Sequence, residues 1–358
     1  MPTAPSEPPG GVAEIDGRRT DLEATLRALV GVFALQDVMM LTYLTIIGFM
    51  VWSAPPSPLQ AGCARMIYLA MAAQSIGCFV SRGLLRLPYT LRAALYRVTI
   101  VGVLLSNYLT LRDFLQLVRP DSMDESLVRL DLRLFGVEPA LWLERFNWHP
   151  VVEWFSFFYF SYFAICIAYM LGVIWLTRPG HRQAEFAIGT LIVFSIGQLG
   201  YTAVPGYGPI RYLESQFHGP IAGGFWWSCV WNTVKAGGAM KDIFPSLHTA
   251  VPFWFTLFSR HQAKTDPRWR WPARITAFFS ANIIVSTMLL RWHYGVDVVA
   301  GLALATTAGF FAPRLAAREE EWRRSLGFTP PWCFEVPGLD GGEPPGAPAS
   351  ERGAGEVG

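Results

Sequence analysis

The stretch Trp154-Phe-Ser-Phe-Phe-Tyr-Phe-Ser-Tyr-Phe-Ala-Ile-Cys-Ile-Ala-Tyr-Met-Leu-Gly-Val-Ile-Trp-Leu-Thr177 contains no charged residue. As a helix it exceeds the ~20 residues that cross a bilayer core. Similar runs lie on both sides of it. Upstream are Val38–Ala64, whose helix ends near Trp52, then Met66–Ser81 and Leu91–Leu111. Downstream are Phe186–Val204, Pro245–Ser259, Ala273–Leu290 and Tyr294–Pro313. The reading is an all-α polytopic membrane bundle of about eight transmembrane helices. Arg92 and Arg97 fall near the start of the third span, where long side chains can snorkel.

Composition agrees. Of 358 residues, 52% are hydrophobic, 14% aromatic and only 16% charged. Soluble domains carry about 25% charged residues. Mean hydropathy is +0.31. Too few charges remain to cover a soluble surface, so lipid is the expected solvent. The net charge of +2 is too small to suggest a nucleic-acid partner. The five cysteines, Cys63, Cys78, Cys166, Cys229 and Cys333, have no metal-ligand spacing. A Cys63–Cys229 bridge is conceivable on topology alone, without support.

Residues 1–33 read as a polar, Pro/Gly-rich tail without the apolar segment of a cleaved signal. Residues 34–111 hold the first three spans. Residues 112–150 alternate charged and apolar side chains, as in Leu127-Val-Arg-Leu-Asp-Leu-Arg-Leu-Phe135. That pattern suits an amphipathic helix in the membrane interface, or equally a solvated helix covering the bundle. Residues 151–313 form the candidate catalytic core. Residues 314–358 read as a tail, disordered from about 338, where Gly, Pro and Glu accumulate.

Charge sets an expected orientation. The connections after spans two, four, six and eight are short and basic, with Arg82, Arg86 and Arg92; Arg178 and Arg182; Arg260, Lys264, Arg268, Arg270 and Arg274; and Arg314, Arg318, Arg323 and Arg324. By the positive-inside rule this side is cytoplasmic, and so are both termini. Trp52, Trp154 and Trp292 then fall at the outer ends of helices, and Trp175, Trp269 and Trp271 at the inner ends, as an aromatic belt.

Three segments at outer helix ends carry the candidate chemistry: Gly206-Tyr-Gly-Pro-Ile-Arg-Tyr212, Phe244-Pro-Ser-Leu-His-Thr249 and Arg291-Trp-His-Tyr-Gly-Val-Asp297. Between His248 and His293 there is room for two spans and a basic turn, so the two imidazoles return to one face. His293 and Asp297 are spaced i, i+4 and share a face if a helix begins there. A carboxylate on one ring nitrogen fixes the tautomer and frees the other for nucleophilic or basic work. His248 can serve the leaving group. Phosphoryl transfer also needs positive charge on the non-bridging oxygens, for which Arg211, Lys241 and Arg291 are candidates. Ser246, with the free amides of a helix start, suits a phosphate. A zinc site of two His and one Asp competes, but no His-Glu-x-x-His or nearby cysteine is present and basic residues crowd the segments. No metal or cofactor is expected. His149, His181, His218 and His261 lack such company and read as structural or surface residues.

These motifs resemble the type 2 phosphatidic acid phosphatase (PAP2) superfamily. Its Pro-Ser-Gly-His appears as Pro245-Ser246-Leu247-His248, and its final motif keeps His293, Tyr294, Asp297 and Gly301. The Ser-Arg pair that opens that motif is Ser286-Thr287 here, so its arginine is missing. The basic motif is reduced to Gly208-Pro209-Ile210-Arg211-Tyr212. These departures resemble the branch containing inositol phosphorylceramide synthases. The resemblance covers about Arg112 to Pro313 and implies a six-helix core. It also implies metal-independent catalysis in which His293 forms a phosphohistidine, Asp297 orients it and His248 moves protons. Arg211 and Ser246 match phosphate-holding positions, and Arg291 or Lys241 stands in for the absent arginine as a hypothesis.

Three functions follow as alternatives. One is head-group transfer between lipids. The second is a lipid-phosphate phosphatase, acting on phosphatidic acid or an isoprenoid phosphate with water as acceptor. The third is a lipid-binding or transport protein without chemistry. The expected partner is a lipid phosphate or phospholipid.

Overall fold

The computed structural model describes residues 29, 31–83, 85–177, 179–237 and 241–334. Most of the predicted N-terminal tail, Arg178, and the segment expected to be disordered from 338 lie outside these residues. Every regular element among them is helical. The principal helices are α1 (Leu35–Trp52), α2 (Pro58–Ser81), α3 (Tyr89–Val118), α4 (Asp124–Phe135), α5 (His149–Tyr169), α6 (His181–Ala203), α7 (Phe225–Gly237), α8 (Leu247–Gln262), α9 (Arg270–Leu289) and α10 (Gly295–Ser325). α5 continues as a π-turn over Met170–Trp175.

Seven helices are long and apolar enough to cross a membrane: α1, α2, α3, α5, α6, α9 and α10. The protein is therefore a polytopic helical membrane protein. The expected sixth span, α8, has 16 residues. That is about 24 Å of helix, short of the ~30 Å core. Its position explains the tolerance. α8 packs among α5, α6, α9 and α10, so protein rather than lipid surrounds its ends. It still runs alongside α6 from end to end, with Leu247 against Gly197 and Gln262 bonded to Glu185.

Two sequence boundaries move. α3 continues past Leu111 to Val118, so the amphipathic segment narrows to α4, which packs on α10. α10 runs on through Ser325, so residues expected to begin a tail continue the helix. Beyond it the chain turns back. Trp332 and Phe334 are fully buried beside Tyr96 of α3, with ring centroids 5.2 Å from it in both cases.

α1–α3 form a layer against α6. Asp37 of α1 ties them, accepting from Gln74 of α2 at 2.9 Å and Tyr96 of α3 at 2.6 Å. The Tyr43 hydroxyl bonds Gln198 of α6. Cys63 and Cys229 are both free thiols.

α6 meets α8 through a glycine face. A Cβ at Gly189 would lie 2.1 Å from the Trp254 ring, and one at Gly197 would lie 2.5 Å from Leu247. Small residues let membrane helices approach closely, and dispersion contacts then replace the hydrophobic drive that lipid removes. Gly189→Ala should destabilise the protein by about 1–3 kcal/mol through overpacking. Thermal unfolding in detergent measures this, and an unchanged midpoint would contradict the close α6–α8 contact.

Candidate active site

The turn after α9 delivers His293. Arg291 N–H donates to the Met288 carbonyl and Trp292 N–H to the Thr287 carbonyl, both at 2.9 Å. This is the Schellman pattern, whose left-handed position is usually glycine. Here that position is Arg291, with φ +64°. An L-residue there costs about 1–2 kcal/mol. The Arg291 side chain helps to hold the turn. It donates to the Gly219 carbonyl at 3.0 Å, pairs with Glu144 at 3.2 Å and lies 3.7 Å over the Phe217 ring. Burial opposes ionisation of Glu144. Hydrogen bonds from the His218 ring and amide, with the Arg291 charge, outweigh it and hold that carboxyl below its usual range.

His293 is 3% exposed. Its Nδ1 lies 2.9 Å from the Ile243 carbonyl and 3.4 Å from Asp297 Oδ2. A carbonyl can only accept, so Nδ1 carries the hydrogen and Nε2 keeps a lone pair.

Buried carboxylates fix the following helix start. Asp297 Oδ2 accepts the Tyr294 amide at 3.0 Å. Asp131, from α4, accepts the Gly295 and Val296 amides at 2.7 and 2.8 Å. These would otherwise be orphan donors at the positive end of α10. Asp124, two turns earlier on the same face of α4, accepts the Tyr207 and Gly208 amides at 2.8 and 2.9 Å and the Tyr294 hydroxyl at 2.8 Å. Gly208 must be glycine. Its φ is +79°, and a Cβ would meet the Trp292 carbonyl at 2.4 Å.

His248 arrives on α8. Ser246 caps that helix, accepting the Thr249 amide at 3.3 Å, and its own amide donates to the Asp297 carbonyl at 3.0 Å. The three motif segments are thus hydrogen-bonded into one unit. The His248 ring stacks on Tyr159 at 4.3 Å and contacts Tyr162 at 4.2 Å. Its centroid is 6.2 Å from that of His293. His248 Nε2 is buried and has no hydrogen-bond partner among the described residues. A cavity of about 70 Å³ lies against both histidines, walled by Tyr108, Tyr159, Tyr207, Asp242 and Trp292 among others.

Of the residues expected to hold phosphate, Ser246 lies beside His248 as the helix cap. Lys241 is engaged elsewhere. Its Nζ donates to the carbonyls of Arg119, Pro120 and Asp121 at 3.1, 2.6 and 3.1 Å. Arg291 is held by Glu144 and Gly219, as above. Arg211 is exposed, with its guanidinium 4.4 Å over the ring of Tyr207. Trp292 is not the belt residue that its place in the sequence suggested. It is 7% exposed and lines the cavity. Thr287 is fully buried and bonds the Ile284 carbonyl. No three His, Cys, Asp or Glu side chains among the described residues converge as a metal-ligand group.

The family model of the PAP2 superfamily matches residues 125–311, just over half of the chain. The chain belongs to the PAP2 superfamily. This is a superfamily of phosphatases and phosphotransferases, and the match spans all three motif segments of the present member. No curated protein and no solved structure matches the chain.

Sequence reading missed Asp124 and Asp131 in this PAP2 protein. Their signal was present: two acids seven residues apart on the Leu127 face of an amphipathic helix, where apolar side chains belong. Tyr159 and Tyr162, at i, i+3 in the opening stretch, were concealed by the many aromatic residues around them.

Two predictions follow from the acids of this site. Asp131→Ala leaves two buried amides without acceptors, at about 1–3 kcal/mol each. Hydrogen exchange at Gly295 and Val296 should accelerate, and unchanged protection would contradict the role. Glu138 is 4% exposed, and burial first, then repulsion from Asp131 and Asp297, raises its carboxyl from 4.5 to about 7. A raised acid favours the folded state while protonated. Its contribution, up to about 3 kcal/mol, is complete below pH 4.5 and lost as pH rises through about 7. Glu138→Gln should flatten the fall in melting temperature between pH 5 and 8, and an equal fall in both proteins would refute this.

Proposed function

We propose that this protein is a membrane-embedded lipid phosphotransferase that works through a phosphohistidine on His293. The specific form is head-group transfer between lipids, as in inositol phosphorylceramide synthases. The observation that carries the reading is the pair of imidazoles, 6.2 Å apart on one cavity, with the His293 tautomer fixed to leave Nε2 free.

The steps balance as follows. His293 Nε2 attacks phosphorus, and the bond from phosphorus to the lipid oxygen breaks. Its electron pair leaves on that oxygen, which takes a proton from protonated His248. An anionic phosphate beside His248 favours that protonated form. The charge gained by the His293 ring is balanced by Asp297, 3.4 Å from Nδ1. In the second step an acceptor hydroxyl gives its proton to His248 and its oxygen attacks phosphorus. The P–N bond breaks, and its pair returns to Nε2. Reacting atoms must approach to about 3–3.5 Å, which suits a phosphorus held between the two rings.

Burial favours transfer over hydrolysis. His293 is nearly inaccessible and aromatic side chains form much of the cavity wall, which limits the access of water as acceptor. By the distribution of basic connections, the site faces the non-cytoplasmic side and both termini are cytoplasmic.

The test uses purified protein with labelled phospholipids. Wild-type protein should accumulate label on His293 in the absence of acceptor and form a lipid product when ceramide or another lipid alcohol is added. Asp297→Asn should lower turnover on the order of 10²-fold or more, because the charge that balances the His293 ring is lost while the Ile243 carbonyl still holds the tautomer. His293→Ala should abolish labelling. Full activity in His293→Ala would sink the proposal, and release of free phosphate alone would assign a phosphatase.

A further inference from the structure

The reaction proposed above needs a phosphate cradle, and the chain lacks the arginine that its superfamily motif carries at position 287. Thr287 cannot reach the cavity. Its hydroxyl bonds the Ile284 carbonyl at 2.7 Å within α9. The nearby cations do not line the cavity either. Lys241 grips three carbonyls, Arg291 pairs with Glu144, and Arg211 stands exposed over Tyr207. Among the described residues, neither arginine nor lysine lines the cavity.

Neutral donors and one carboxylate line it instead. The indole of Trp292 and the phenols of Tyr108, Tyr159 and Tyr207 share the wall with Asp242. The Trp292 N–H is buried and has no hydrogen-bond partner among the described residues. Buried donors nearly always have an acceptor, so this one calls for a ligand atom. Trp292 directly precedes His293, and the turn that sets the nucleophile therefore sets this donor too.

We propose that the Trp292 indole N–H, helped by the surrounding phenols, holds the phosphate in place of the missing arginine, and that this neutral cradle selects singly charged phosphodiesters over doubly charged phosphomonoesters. The inference rests on the phosphohistidine reading above. Charge is the reason. A phosphomonoester carries close to two negative charges at neutral pH, and a diester carries one. In the cavity the first charge is met by protonated His248 and by hydrogen bonds. The second would have no guanidinium or ammonium among the lining residues to balance it. The substrate class is a phospholipid with an esterified head group, not a lipid phosphate.

The test compares phosphatidylinositol, phosphatidylcholine and phosphatidic acid of identical acyl chains, presented to the purified full-length protein in mixed micelles. Diacylglycerol release is the common readout, because breaking the bond to the lipid oxygen frees it from all three. Wild-type kcat/KM should favour at least one diester over phosphatidic acid by roughly tenfold or more, the effect of one uncompensated interaction of about 1.4 kcal/mol. Trp292→Phe keeps the ring and removes the N–H. It should lower kcat on the diester on the order of 10²-fold, with KM little changed, as for loss of one oxyanion donor. Preference for phosphatidic acid with label still on His293 would overturn the cradle and leave the phosphoenzyme standing. So would a Trp292→Phe protein with wild-type kcat. Turnover of none of the three lipids, with no label on His293, would overturn the enzyme reading itself.

Discussion

The positive end of α10 is the constraint on which the site depends. A helix start buried beside His293 exposes amide hydrogens that water cannot reach. Asp131 and Asp297 take the amides of residues 294–296. Asp131 comes from α4, which otherwise lies against the bundle as an amphipathic helix. Through Asp124, the same helix also holds Tyr207, Gly208 and Tyr294. α10, the glycine-rich loop and α4 are thus one hydrogen-bonded body. α4 is part of the framework of the candidate site, and the family match begins within it, at residue 125.

Two further acids on this side act in the same manner. Glu153 accepts the amides of Gly224, Trp226 and Trp227 and so starts α7. Glu144 receives Arg291 and His218. The long connections on this side are ordered by carboxylates reaching backbone N–H groups and by a few cations reaching carbonyls, as Lys241 does. This division explains a feature that is awkward from charge counting alone. Basic residues cluster near a site expected to take an anion, yet two of them serve the scaffold and the third lies outside the cavity.

Much of the fold was legible in the sequence because lipid imposes a simple rule: a long charge-free run must be a helix. Runs such as Trp154–Thr177 needed only counting. α8 was read as a span from its place between two turns, although its length falls short, because a helix surrounded by protein is freed from the bilayer's length requirement. The ends of α3 and α10 were misplaced for the opposite reason. Charged residues such as Arg112 and Arg314 were taken as stops, but a helix emerging from the membrane can continue with charged side chains. At the site, the convergence of His248, His293 and Asp297 was legible from spacing and topology. The occupations of Lys241 and Arg291 were not, since a sequence shows which charges are present and not which backbone atoms they face. Trp292 was misread because an interfacial tryptophan and a buried one look alike in one dimension.

The return of the chain onto its own beginning has a consequence for biogenesis. Trp332 and Phe334 fill the space beside Tyr96, and Arg323 and Glu319 hold backbone atoms at Gly31, Phe33 and Leu35. These partners leave the ribosome long after α1–α3 have entered the membrane. Until then the first three helices wait with polar groups such as Asp37 and Arg82 next to an unfilled gap. Final packing of this layer therefore requires the last helix and the segment after it.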